Sequence, residues 1–118
     1  MRPRSPKWLD DIQRSAEFIL AAIGGKSVQD YQTDALLRAA IERHFEIIGE
    51  AMRRLARDDP ETAAFIADYP RIIAFRDLLI QGYDLVDHAE VWTVAREHVP
   101  LLLAQVKALL SGSAPPER

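Results

Sequence analysis

The stretch that decides the fold is "DALLRAAIERHFEIIGEAMRRL", residues 34–55. Its apolar side chains recur every three or four residues, a spacing that places them on one face of a helix. That face comprises Leu37, Ile41, Phe45 (or His44), Ile48, Met52 and Leu55. Gly49 lies inside the helix at a cost of roughly 1 kcal/mol relative to alanine, which indicates close backbone approach by a neighbour. The pattern predicts the longest helix of the chain, with neighbouring helices packed against it.

Helical patterns also occur on both sides of this stretch. Ser5-Pro6 is a typical helix entry, and "GGK" at 24–26 ends the first helix because glycine readily adopts the left-handed conformation of a cap. The segment "SVQDYQTD", residues 27–34, has no apolar period and predicts a polar crossing. The long helix is expected to close at Pro60, and residues 61–68 to add a short helical turn or two.

The carboxyl-terminal half repeats this organisation. Pro70 fits the first turn of a helix through "RIIAFRDLLIQ" that breaks at Gly82. Asp87 is predicted to cap the next helix, with Glu90 completing a capping box. Pro100 should kink or restart that helix, because it lacks an amide hydrogen. We therefore predict an all-α protein, an antiparallel bundle of four main helices with five as the alternative. It forms a single domain over residues 1–118, with its core at about 8–110 and a loose tail at 111–118.

Composition limits the classes of function. The 118 residues suit one domain, and 48% hydrophobic with 28% charged residues is the balance of a soluble globular protein. Without cysteine the chain has no disulfide, thiolate metal site or cysteine nucleophile, and the cytoplasm is the expected location. The sequence holds no signal-peptide core and no run long enough for a membrane span. A net charge of −3 argues against a broad basic surface for nucleic acid but leaves room for a local basic cleft.

The histidines do not have the spacing of a metal site. His44 and His88 each precede a glutamate by two residues, so each pair faces different sides of a helix, and His98 has no matching partner at i+4. The sequence also lacks a glycine-rich phosphate loop, a serine elbow and a cysteine–histidine pair. We therefore expect neither a metal ion nor another cofactor.

The remaining candidates lie in "FRDLLIQGYDLVD", residues 75–87. Arg76 and Tyr83 are seven residues apart, which would put them nearly in line on one helical face. Arginine is suited to hold a phosphate because its planar donors stay charged at any working pH. The structural alternative is that Arg76 pairs with Asp77, Asp84 or a glutamate of the long helix, and that Tyr83 packs inside the bundle.

These stretches, together with "VWTVAREHVPLLLAQVKALL", resemble the HepT-like branch of the HEPN superfamily, ribonuclease toxins of two-gene toxin–antitoxin pairs. The resemblance covers about Trp8 to Leu110, and the fold that it implies is a HEPN-like helical bundle. The family's motif is an arginine, a polar residue, three variable residues, a histidine, one further residue and a tyrosine. Arg76, Asp77 and Tyr83 match it, Gly82 stands beside the tyrosine, and Gln81 occupies the histidine position.

The resemblance implies partners as well as an activity. Family members form homodimers that bring two motifs into one cleft, and a small nucleotidyltransferase antitoxin transfers AMP from ATP onto the motif tyrosine, here Tyr83. The substrate class would be RNA, cleaved without a metal ion. Arg53, Arg54 and Arg57 are candidates to line the cleft and bind RNA, the alternative being that they face water.

Gln81 leaves two hypotheses open. An imidazole can move a proton near neutral pH, whereas an amide can only donate and accept hydrogen bonds. Loss of one general acid–base group typically costs about 10² to 10⁴ in rate. In the first, the chain is a ribonuclease with Arg76 and Gln81 as its catalytic candidates, and a nearby histidine such as His88 takes over proton transfer. In the second, the chain is a catalytically weakened module that dimerises and binds its nucleotidyltransferase partner.

Overall fold

The longest helix, α3, occupies Ala35–Asp58 in the computed structural model, which describes residues 1–112. Helix α1, Ser5–Ile23, packs against α3 and against α7, Val99–Leu110. Helix α5, Tyr69–Gln81, also packs against α3. Residues 1–112 form helices and turns without a strand, so the predicted all-α bundle is confirmed.

The core lies where the predicted apolar faces meet. In α3 it is Phe45 that is buried, whereas its neighbour His44 is half-buried, which settles the alternative that the periodicity left open. The other predicted core positions of α3 are buried too, except Leu37, which packs at the edge of the core. Helix α1 contributes Leu9, Ile12, Ala16, Ile19 and Ile23 to the same cluster. None of the helices in the described part of the chain is long and apolar enough to cross a membrane.

The predicted polar crossing at residues 27–34 is wrong, because most of it is a helix. Helix α2 covers Val28–Thr33, and Ser27 and Asp30 form a capping box at its start. Tyr31 is fully buried, and its ring centroid lies 5.7 Å from that of Trp92. Burial also raises the pKa of the Tyr31 phenol. A helix of this length buries only one side chain, so its sequence shows no apolar period.

A buried carboxylate joins the end of α3 to the amino-terminal segment. Helix α4, Pro60–Ala63, follows α3 directly and is capped by Asp59, which is 3% exposed. Asp59 accepts hydrogen bonds from the Ser5 hydroxyl at 2.8 Å, from the Arg2 amide at 3.0 Å, and from both the amide and the hydroxyl of Thr62. Burial alone would raise the pKa of Asp59, but these donors outweigh it and hold the pKa well below its usual value.

The carboxyl-terminal half departs from the prediction in one detail. A turn of 3₁₀-helix at Tyr83–Leu85 follows α5, and Asp87 caps α6, His88–Thr93, as predicted. The expected capping box with Glu90 is wrong, since the Asp87 carboxylate accepts from the amide of Ala89 at 2.9 Å.

Pro100 restarts the last helix, as expected. Between α6 and α7 the backbone widens into a π-helical segment, Val94–His98. Pro100 has no amide hydrogen to donate to the preceding turn, and the wider turn accommodates that loss. Of the predicted loose tail, Ser111 and Gly112 follow α7, and residues 113–118 lie outside the described part of the chain.

Candidate active site

Helices α3 and α5 approach most closely where Gly49 faces Arg76. A Cβ atom on Gly49 would lie 2.1 Å from Arg76 Cβ and 2.6 Å from Arg76 Cγ, and 3.4 Å from the carbonyl oxygen of Ile72. Real Cβ atoms do not approach others so closely, so only glycine fits at this position. The close approach predicted from Gly49 is confirmed, and the partner is the base of the Arg76 side chain.

The guanidinium of Arg76 is held by two carboxylates. Its Nη1 donates to Asp77 Oδ1 at 2.9 Å, and its Nη2 lies 3.3 Å from Glu50 Oε1 on α3. The structural alternative, pairing with Asp77 and a glutamate of the long helix, is therefore present. The side chain nonetheless remains 21% exposed. Its Nε is buried and has no hydrogen-bond partner among residues 1–112.

Two more arginines share the same carboxylates. Glu50 Oε2 accepts from Arg54 Nε at 3.0 Å, and Asp77 Oδ1 accepts from Arg53 Nη2 at 3.1 Å. The hydrogen bond from Arg76, followed by the charge of Arg53, holds the pKa of Asp77 below its usual value. The network therefore sets three guanidinium groups against two carboxylates and carries one positive charge in excess.

A surface cleft of about 200 Å³ opens beside this network, between α1, α3 and α5. Its charged lining consists of Asp11, Arg43, Glu46, Glu50, Arg54 and Arg76, and Trp8, Ile47 and Ile80 supply much of the apolar part. Of the three arginines predicted from the sequence to bind RNA, Arg54 lines the cleft. Arg53 lies beside it, bound to Asp77, and Arg57 binds its neighbour Asp58 at 2.8 Å.

Trp8 lines the cleft, and its ring lies close to one cation of the amino-terminal segment and one of α3. The guanidinium carbons of Arg4 and Arg54 lie 5.0 and 5.1 Å from its ring centroid, within range of a cation–π contact. The indole Nε1 donates to Asp58 at 3.0 Å, which fixes the ring against the end of α3. Local sequence patterns could not predict this contact because Trp8 and Arg54 are far apart in the chain.

Gln81 and Tyr83 lie outside the lining of the cleft. Gln81 is the last residue of α5 and is exposed, and Gly82 ends the helix there. Tyr83 begins the 3₁₀ turn and is 78% exposed. The alternative of a packed tyrosine is therefore wrong. The expected alignment of Arg76 and Tyr83 on one helical face does not apply either, because the helix ends between them.

The three histidines occupy other surroundings. His44 Nδ1 lies 3.0 Å from Ser15 Oγ, its ring stacks on Phe18, and burial lowers its pKa. His88 is half-buried at the start of α6 with its ring nearly perpendicular to that of Tyr31, and His98 lines a separate apolar groove. None of them lines the cleft. Residues 1–112 contain no cluster of three or more metal-ligating side chains that could hold an ion.

Similar proteins define the class to which this helical bundle belongs. The family model described as "Ribonuclease HepT-like" matches residues 12–109. The chain is 32% identical to "Putative RNase TTE0752" of Caldanaerobacter subterraneus, over 87% of this chain and 91% of that protein. It is 28% identical to "Probable ribonuclease HepT" of Thermococcus cleftensis, over 92% of this chain and 98% of the relative.

A third relative is longer than this chain. "Gamma-glutamylcyclotransferase and putative RNase MJ0434" of Methanocaldococcus jannaschii is 30% identical over 93% of this chain, which spans 49% of that protein. No solved structure matches the chain significantly. The family match covers most of the helical core, and the chain belongs to the HepT-like ribonuclease family of the HEPN superfamily.

Proposed function

We propose that this protein is the toxin of a two-gene toxin–antitoxin pair and cleaves RNA without a metal ion, with Arg76 as the group that holds the scissile phosphate. The observation that carries the proposal is the position of Arg76, which lines an open cleft within a network of excess positive charge. A guanidinium can bind a phosphate through two parallel hydrogen bonds. Membership of the HepT-like ribonuclease family supports the same substrate class.

The chemistry needs positive charge and proton transfer. Attack of the ribose 2′-oxygen on phosphorus forms a crowded, negatively charged phosphorane, which Arg76 would stabilise. The 2′-hydroxyl must lose a proton and the departing 5′-oxygen must gain one. Gln81 stands at the motif's proton-transfer position and, as an amide, can orient the 2′-hydroxyl or a water molecule by hydrogen bonding. The proposal therefore predicts a slow enzyme.

A homodimer is part of the proposal. Apolar side chains are exposed within the motif and just after it, namely Leu78 and Ile80 on α5 and Leu85 in the following turn. A two-fold contact through this surface would cover these side chains and repeat the three guanidinium groups of the network, with one self-complementary patch sufficing for both copies. The same contact would bring two motifs into one RNA-binding cleft.

Regulation would act at Tyr83. Its exposed phenol is accessible to a nucleotidyltransferase, which the proposal takes to be the antitoxin partner. The phenol oxygen attacks the α-phosphorus of ATP, the bond to the β-phosphate breaks, pyrophosphate leaves, and the phenolic proton passes to solvent. Each AMP adds negative charge that competes with RNA for the guanidinium of Arg76.

A second function, that of a catalytically weakened binding module, is favoured by Gln81 itself. Such a module would still dimerise, bind its nucleotidyltransferase partner and bind RNA without cleaving it. Its Arg76 would still bind phosphate, because replacement of the histidine by Gln81 leaves the arginine unchanged.

RNA cleavage by the purified protein separates these two functions. The comparison uses natural protein, Arg76→Ala, Gln81→His and, as the matched charge control, Arg96→Ala on the π-helical segment. The enzyme proposal expects cleavage that Arg76→Ala abolishes and Arg96→Ala retains. Cleavage that appears only with Gln81→His would support the binding module.

The partner proposal has its own experiment. Co-expression with a nucleotidyltransferase encoded beside this gene should add multiples of the AMP mass, and Tyr83→Phe should remove the addition while Tyr69→Phe keeps it. An unchanged mass in the natural protein would contradict regulation at Tyr83.

A further inference from the structure

Glu50 contacts all three guanidinium groups of the network. Its Oε1 lies 3.3 Å from Arg76 Nη2 and 3.9 Å from Arg53 Nε, and its Oε2 accepts from Arg54 Nε at 3.0 Å. It also lines the cleft and is 36% exposed. Asp77, the other partner of Arg76, lies on the same helix as the arginine. Glu50 is thus the carboxylate that ties the Arg76 guanidinium to the opposite helix.

We propose that Glu50 is a positioning residue for Arg76, holding its guanidinium at the cleft and competing with the incoming phosphate for it. This rests on the proposed function, in which Arg76 holds the phosphate. Gly49 places the base of the Arg76 side chain against α3, and the next residue along α3 is Glu50. The glycine therefore fixes where the arginine starts, and the carboxylate fixes where its charged end lies.

The two parts of this role have opposite consequences for a neutral variant. Glu50→Gln removes a competing negative charge, so Arg76 offers more of its charge to a phosphate and RNA binds more tightly. The same change loosens the guanidinium, so the transition state is stabilised less and cleavage is slower. A purely structural role would instead lower the folded fraction and weaken both binding and cleavage.

Binding is measured by fluorescence anisotropy with a labelled 2′-O-methyl RNA oligonucleotide, which lacks the attacking hydroxyl and cannot be cut. Glu50→Gln should lower Kd by about threefold to fivefold, the upper part of the range expected for loss of one partly exposed charged partner. The control Glu97→Gln makes the same charge change on the exposed π-helical segment and should alter Kd less than about twofold, since that charge is screened at a distance. Thermal unfolding shows that each variant is folded.

The same pair of variants in an Arg76→Ala background shows whether the effect acts through Arg76. The tightening from Glu50→Gln should fall to the size of the control. Equal tightening with and without Arg76, or none beyond Glu97→Gln, would overturn the proposal. If Arg76→Ala alone binds the oligonucleotide as well as the natural protein does, the proposal that Arg76 holds the phosphate is contradicted. That result is distinct from one that contradicts the positioning role of Glu50.

Cleavage gives an independent readout in the natural protein or, if that is inactive, in Gln81→His. Glu50→Gln should lower KM by a factor similar to that for Kd and lower kcat by about tenfold. A lower KM with unchanged kcat would contradict the positioning part of the proposal.

Discussion

Asp59 and Glu50 are two carboxylates less than three helical turns apart, and their surroundings differ in kind. Asp59 is 3% exposed, and its donors are the Arg2 amide, the Ser5 hydroxyl, and the amide and hydroxyl of Thr62. Glu50 is 36% exposed and faces three charged guanidinium groups in a cleft. The hydrogen-bond acceptors of Asp59 are used by donors inside the protein, whereas Glu50 is shared among arginines at the surface.

The difference separates a structural contact from one that can change partners. Donors that saturate a buried carboxylate leave none of its acceptor capacity for a ligand, and loss of the carboxylate leaves those donors buried and unpaired. The network around Glu50 keeps a positive charge in excess, and the Nε of Arg76 has no partner within residues 1–112. We therefore expect substitution of Asp59 to lower stability, and substitution of the charged side chains of Glu50 and Arg76 mainly to alter binding.

The largest expected loss of stability is at Gly49, where α3 and α5 are in contact. Gly49→Ala places a methyl group where Arg76 Cβ lies, so α3 and α5 must separate, at a cost of about 3 kcal/mol or more. Chemical denaturation measures this change. Gly24→Ala is the control, because its new Cβ would meet carbonyl oxygens at 3.5 and 3.6 Å, an ordinary contact distance. Equal unfolding free energies for the two variants would contradict the close packing of α3 and α5.

The next effect tests the structural carboxylate. Asp59→Asn replaces one acceptor oxygen with an amino group that faces existing donors, and should lower the free energy of unfolding by about 2 kcal/mol. Asp34→Asn is the matched control, since exposed Asp34 caps α3 by accepting from Leu37 and asparagine caps equally well. A loss at Asp34 as large as that at Asp59 would remove the distinction between a saturated buried cap and an ordinary one.

Acid should reveal the same contact. The pKa of Asp59 is lowered in the folded state. Its contribution to the free energy of unfolding is therefore fully present above the unfolded-state pKa of about 4 and declines as pH falls towards the folded-state pKa. Denaturation at a series of pH values should show a steeper acid loss in the natural protein than in Asp59→Asn. Parallel curves would mean that the carboxylate is not held by its donors.

The smallest effect on stability is expected at Arg76. Arg76→Met keeps the aliphatic packing against Gly49, and Glu50 and Asp77 retain Arg54 and Arg53 as partners, so the free energy of unfolding should change by less than about 1 kcal/mol. Binding of the uncleavable RNA should nevertheless weaken. Unfolding comparable to that of Asp59→Asn would place Arg76 among the structural contacts.

The agreement between prediction and structure follows the range of the interactions. The periodicity of residues 34–55 predicts α3 because helix formation and its apolar face depend on residues three and four apart. Gly49 signalled a close neighbour, but nothing local showed that the neighbour was Arg76. The burial of Tyr31 could not be predicted because one buried ring gives no apolar periodicity. The partner of Asp87 could not be predicted because neighbouring backbone amides compete for one carboxylate.

By itself, the sequence determined the main helices, the apolar face of the longest one, and a motif that runs from Arg76 within one helix through Gln81 to Tyr83. The tertiary structure decided which groups meet, setting Glu50 against Arg76 and Trp8 against Arg54, and leaving Tyr83 exposed beyond the end of its helix. The physical reason is that helix formation is decided within a few residues of chain. The sharing of carboxylates among arginines depends on how closely two helices pack, and Gly49 sets that distance for α3 and α5.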